Sequence, residues 1–172
     1  MKNKIIVYII AIVILFIGIF LYAKPNESKK VDDGKITNSH PAKTEGTLVA
    51  KEIFYDFGTI SMKNGKVSKL FKINNSTSED IKLPSLTTSC MCTAAYFIDS
   101  DRNKKGPFGM PGMGFVPKLN AIIKAGTSGE IEAVYDPNAH GPAGVGMIDR
   151  FIYLEDANNN KLQFEIKANV TP

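Results

Sequence analysis

Lys66-Val67-Ser68-Lys69-Leu70-Phe71-Lys72-Ile73-Asn74 is the stretch whose reading decides the fold. Val67, Leu70, Phe71 and Ile73 alternate with Lys66, Lys69 and Lys72 at a spacing close to two. Two is the side-chain period of an extended strand, whose successive residues face opposite ways. A helix would need apolar residues three and four apart over a longer window. The stretch therefore predicts a strand with one wet and one buried face. Asn74-Asn75-Ser76-Thr77-Ser78 then closes it as a turn, because short polar side chains hydrogen-bond their own backbone.

Short runs of the same kind lie on both sides. Leu48-Val49-Ala50 and Ile53-Phe54-Tyr55 precede it. Ile81 to Leu86 follows, broken at Pro84, which places it near an edge or a bulge. Ala94–Ile98, Ala121–Lys124, Gly129–Tyr135, Met147–Leu154 and Leu162–Val170 complete the set. The last two flank Asp156-Ala157-Asn158-Asn159-Asn160, a hairpin connection. No segment after residue 23 sustains a helical apolar period. Short strands joined by polar turns predict an all-β, antiparallel sandwich over residues 49–172, with no helix longer than about two turns.

The N-terminal part reads differently. After residues 1–4, Ile5 to Ala23 is an uncharged apolar run of 19 residues, IIVYIIAIVILFIGIFLYA. At about 1.5 Å per helical residue it can span a hydrocarbon core of roughly 30 Å. It is longer than the h-region of a cleaved signal, and Leu21-Tyr22-Ala23 fits an A-x-A cleavage site poorly. We read residues 5–23 as one transmembrane helix, an uncleaved signal anchor, with a cleaved signal as the alternative. Residues 24–48 are rich in Lys, Asn, Ser, Asp and Gly, with almost nothing apolar to bury, and read as a flexible tether. The expected arrangement is a single-pass cell-membrane protein with its β-domain on the extracytoplasmic side.

Charge narrows the partners. The net charge is +4, but residues 1–48 hold seven Lys against four acids, leaving 49–172 with fourteen basic residues against thirteen acidic. A nearly neutral domain argues against a nucleic-acid surface, which needs clustered basic side chains.

The two cysteines of the chain stand two apart in Thr87-Thr88-Ser89-Cys90-Met91-Cys92-Thr93. If this segment is extended, Cys90 and Cys92 share a face and Met91 points away. Two adjacent thiols suit a soft metal, thiol exchange or a disulfide. The last would be strained, with Cα atoms about 6.6 Å apart in a strand, at the far edge of disulfide geometry.

The order of motifs resembles domain-of-unknown-function family 1573. The matching residues are Phe54-Tyr55-Asp56-Phe57-Gly58-Thr59-Ile60, Phe71-Lys72-Ile73-Asn74-Asn75 and Ser89-Cys90-Met91-Cys92-Thr93. Ile123-Lys124-Ala125-Gly126 through Val134-Tyr135-Asp136-Pro137 and the closing strand Leu162–Val170 extend the match over about residues 50–171. The resemblance implies an immunoglobulin-like, Hydin-type sandwich and an extracytoplasmic location. It implies no activity. Two departures stand out. Met91 occupies a position that is usually Gly in the family, so a positive φ is not required there. Asp99 to Asn120, DSDRNKKGPFGMPGMGFVPKLN, is an insertion, and a long loop in a compact domain is usually functional or disordered.

Met110 and Met113 lie in that insertion, in Gly106-Pro107-Phe108-Gly109-Met110-Pro111-Gly112-Met113-Gly114. His140, the domain's one histidine, lies in a second Gly/Pro loop, 136–147. The loops of an immunoglobulin-like sandwich gather at its two ends. Thiolate, thioether and imidazole are the donors that favour Cu(I). Cys90, Cys92, Met110, Met113 and His140 are therefore the candidate metal ligands, with copper the expected ion. Zinc suits the set less well, because thioether is a poor zinc ligand. Blander roles compete: cysteines as core, methionines packing a loop, His140 at a turn. The chain has no G-x-S-x-G, no H-E-x-x-H and no phosphate loop, so no catalysis is expected. Asp149-Arg150 reads as a surface pair opening a strand. Beside the copper site stand two alternative functions, an envelope or adhesion interaction module whose partner is another envelope protein and whose cysteine pair is structural, and a thiol-disulfide protein.

Overall fold

The computed structural model describes residues 48–172. The apolar run 5–23 and the tether up to residue 47 lie outside the described residues. Eleven strands follow in order: β1 Leu48–Ala50, β2 Phe54–Ser61, β3 Val67–Asn75, β4 Ile81–Leu83, β5 Ser85–Thr88, β6 Thr93–Ile98, β7 Lys104–Phe108, β8 Ala121–Ile123, β9 Ser128–Tyr135, β10 Gly146–Glu155 and β11 Lys161–Thr171. Two 3-10 turns, Met62–Asn64 and Gly141–Gly144, are the only helical pieces among the described residues. None of these is long and apolar enough to cross a membrane.

One sheet runs β1-β3-β9-β6-β7 and the other β2-β11-β10-β5, with β4 and β8 pairing separately. Alternation drives the layering. In β9 and β11 every second residue is buried, and the intervening ones are not. The inner faces meet across Phe71 of β3 and Phe164 of β11, whose ring centroids are 5.0 Å apart. The result is an all-β sandwich, as the apolar spacing predicts. All pairings are antiparallel except one: β2 runs parallel to β11, Phe54 opposite Glu165 and Ser61 opposite Thr171. The expectation of wholly antiparallel sheets is corrected at that pair.

Pro84 marks more than an edge. It separates β4, which pairs with β8, from β5, which pairs with β10. A residue that cannot donate to a ladder stands where the chain leaves one sheet for another. The vacated Pro84 carbonyl accepts from the Leu119 N–H at 2.9 Å.

The insertion also differs from expectation. Its first part is the edge strand β7, joined to β6 by Asp99–Asn103. Asp99 Oδ1 accepts from the N–H groups of Asp101 and Asn103, and Oδ2 from the Asn103 side chain. The β10–β11 hairpin repeats the device: Asp156 Oδ1 takes the N–H groups of Asn158 and Asn160, and Oδ2 the Asn160 amide. In both, the residue before the Asn is left-handed, Arg102 at φ 67° and Asn159 at φ 63°. Asp-x-x-x-Asn thus builds two hairpins by one mechanism. Gly106 is fixed by crowding, since a Cβ there would meet the Tyr96 ring at 2.8 Å and the Ala95 carbonyl at 2.9 Å.

Every buried side-chain nitrogen and oxygen among the described residues has a hydrogen-bond partner. Asn75 shows how. Its amide donates to the carbonyls of Glu79, Ile123 and Lys124, and its carbonyl accepts from Thr77. One side chain thereby seals the β3 turn onto the β8 turn.

Candidate functional site

The cysteine segment is not extended. β5 ends at Thr88, β6 begins at Thr93, and Ser89–Cys92 form a turn closed by the Thr93 N–H donating to the Cys90 carbonyl at 3.1 Å. Local polar bonds outcompete the ladder here. The Thr88 hydroxyl lies 3.1 Å from the Cys90 carbonyl and 3.0 Å from that of Thr93, bracketing the turn. β10 holds the turn from one side. The Ser89 N–H donates to the Phe151 carbonyl, and the Phe151 N–H donates back to Ser89 Oγ. The Asp136 N–H, at the exit of β9, donates to the Cys92 carbonyl from the other side. The shared-face geometry expected of a strand is therefore replaced by a pinned turn, which still leaves both sulfurs together.

The loop after β9 brings the third group. His140 Nε2 lies 3.3 Å from Cys90 Sγ. Donor atoms of Cys90, Cys92 and His140 all fall within 4.8 Å of one another. A point within about 2.8 Å of all three therefore exists, and bonds of about 2.0–2.3 Å require only a small inward movement. Cys90 is half-buried, Cys92 is 2% exposed and His140 is exposed. Met110 and Met113 sit in the loop after β7, Met110 half-buried and Met113 exposed. That loop starts at Gly109, whose carbonyl accepts from the Thr88 N–H, so it leaves the sheet two residues before Cys90.

The two thiols differ in electrostatics. Burial by itself would raise Cys90. The Cys92 thiol and backbone N–H, His140 and the charge of Arg150 outweigh that and bring it down to about 7. Burial pushes Cys92 up, and its neighbour Cys90 adds to this, while hydrogen bonds from Arg150 and Thr93 pull the other way. Of the two, Cys90 is the thiol that its neighbours lower and Cys92 the one that burial raises.

Arg150 is the residue that the sequence reading misplaced. Its Nε donates to Cys92 Sγ at 3.2 Å, and Nη1 donates to the Asp149 carbonyl at 2.8 Å. It is a half-buried partner of the thiols and not a surface pair with Asp149, whose carboxylate instead meets Lys167 at 3.5 Å. A signal was present: Ile148, Arg150, Ile152 and Leu154 share one parity in β10, and the other three are buried. A charge placed in register with core residues points inward.

No family model and no curated protein matches the chain. Solved structures do. A protein of unknown function from Porphyromonas gingivalis W83 aligns with a TM-score of 0.52 at 17% identity, over 72% of this chain and 46% of that one. This chain thus spans about half of that protein's length, and the likeness is one of fold alone. PapD-like domain 7 of human CEP192 aligns at 0.47 with 13% identity, over 86% of this chain and 98% of that one. The YadV chaperone aligns at 0.40 with 11% identity, over 74% and 53%.

Proposed function

We propose that this chain is a membrane-anchored, extracytoplasmic sandwich of the immunoglobulin-like type that holds a soft metal ion, Cu(I), without catalysis. The observation that carries the reading is the convergence of Cys90 Sγ, Cys92 Sγ and His140 Nε2 within 4.8 Å. Two thiolates and an imidazole form a soft, low-coordinate donor set. The thioethers of Met110 and Met113 are the further donors in this reading, supplied by the neighbouring loop. The apolar run at residues 5–23 is the basis for the anchor. Met91 lies in the cysteine turn, Val145 and Met147 just after the loop that carries His140, and Met113 and Phe115 in the loop after β7, and all five are exposed. That apolar fringe is where an envelope protein exchanging the ion would bind.

The test is a Cu(I) titration of the full reduced chain against a competing chelator, followed by elemental analysis. One equivalent is expected. Absence of uptake sinks the copper reading and leaves an interaction module with a structural cysteine pair.

A second reading, thiol-disulfide exchange, is favoured by the asymmetry of the pair. A half-buried thiol lowered to about 7 stands beside a buried one. Iodoacetamide should label Cys90 well before Cys92. Because the thiolate is the nucleophile, the rate should rise with pH and reach half its plateau near 7. A midpoint near the free-cysteine value of about 8.5 would show that the surrounding hydrogen bonds do not act on Cys90.

A further inference from the structure

Arg150 faces sulfur and no carboxylate. Among the described residues it takes part in no ion pair. The nearby acids are engaged elsewhere, Asp136 with Lys66 and Asp149 with Lys167. Among the described residues, the only side chain that accepts a hydrogen bond from this half-buried guanidinium is Cys92. A guanidinium is always charged, so the position carries a permanent positive charge beside the sulfurs.

We infer that Arg150 is a positioning residue that makes the Cys90–Cys92–His140 site select monovalent over divalent soft cations; this rests on the metal reading above. The charge balance gives the reason. Two thiolates, a neutral imidazole and a monovalent ion sum to −1, which Arg150 brings to zero. With a divalent ion the same ligands sum to zero, and Arg150 leaves an uncompensated +1 in a half-buried place. Uncompensated charge away from bulk water is costly, and a fixed cation within a few ångströms repels the ion directly. The hydrogen bond from Nε also draws electron density from Cys92 Sγ. That weakens its donation, which a divalent ion depends on more than a monovalent one. Arg150 comes from β10, which also clamps Ser89 by two hydrogen bonds, so the charge and the turn are held by one strand.

The experiment measures competition affinities of the full chain for Cu(I) and Ag(I), and for Zn(II) and Cd(II). Cd(II) separates charge from softness, because it is soft and divalent. Arg150→Met keeps a long apolar stem and removes the charge; Arg150→Lys keeps the charge. In Arg150→Met the monovalent-to-divalent affinity ratio should fall about tenfold or more, for both pairs. In Arg150→Lys it should stay within a few-fold of the original. A merely structural role would weaken all four ions together and leave the ratio unchanged, which overturns the inference even if Cu(I) still binds. Should Arg150→Met fold poorly, Arg150→Gln, which removes the charge and keeps a donor for Cys92, carries the same expectation, and loss of the preference in Arg150→Lys also overturns the inference. If the unsubstituted chain takes up none of the four ions, the metal reading falls first and the inference falls with it.

Discussion

On the copper reading, replacing Cys90 and Cys92 together with serine should reduce Cu(I) uptake, measured against a competing chelator, to below detection. A serine hydroxyl stays protonated at neutral pH and is a hard oxygen, so the two donors that contribute most to soft-metal affinity disappear. The fold should survive. Cys90 is half-buried, and a serine at position 92 still offers Arg150 an acceptor, so the cost is about 1 kcal/mol, seen as a small fall in Tm. Met110→Leu with Met113→Leu should weaken binding and leave Tm nearly unchanged, because volume and apolarity are kept. His140→Ala should also weaken it, and should remove the loss of affinity that protonating an imidazole causes in acid. The opposite pattern, a large fall in Tm for the cysteine variant and an unchanged metal content throughout, would assign the pair a structural role.

Phe164→Ala should cost about 3–5 kcal/mol in urea unfolding, a large part of the roughly 5–15 kcal/mol that holds a domain together. Phe164 is fully buried in β11, and its ring meets Phe71 of the opposite sheet at an interplanar angle of 34°. Truncation removes the transfer free energy of the ring and leaves a cavity between two sheets, which the hydrogen-bonded ladders on either side keep from closing. A loss below about 1 kcal/mol would mean that the layers do not depend on this contact.

What could be read in advance follows from how local each signal is. β3, β9 and the β10–β11 hairpin announce themselves because alternation and turn chemistry are properties of adjacent residues. β7 does not. Lys104-Lys105-Gly106-Pro107 are all exposed, so no alternation exists to be read, and the strand forms by pairing at the edge of β6. The parallel partnership of β2 and β11 joins residues more than a hundred positions apart and leaves no local trace. At the site, the adjacency of Cys90 and Cys92 is visible in the sequence, whereas the approach of His140 to Cys90 depends on where the loop after β9 folds. The turn at Ser89–Cys92 was hidden because cysteine and threonine suit strands, and only the Thr88 hydroxyl and the β10 contacts decide against one. Arg150 was legible in principle. Its parity with Ile148 and Ile152 outweighs its charge as an indicator of direction, and the pairing with Asp149 drew attention to the wrong neighbour.

The parallel alignment of β2 and β11 has a mechanical side. Tension applied between the segment entering β2 and the segment leaving β11 acts at opposite ends of their shared ladder, Phe54–Glu165 at one end and Ser61–Thr171 at the other. The load then runs along the strands, and the interstrand hydrogen bonds share it in shear. An antiparallel pair, pulled at adjacent ends, would peel apart one bond at a time. Held in this way, the sandwich resists stretching as a clamp does, and the turn that carries the cysteines, pinned between β10 and the exit of β9, lies outside the line of pull.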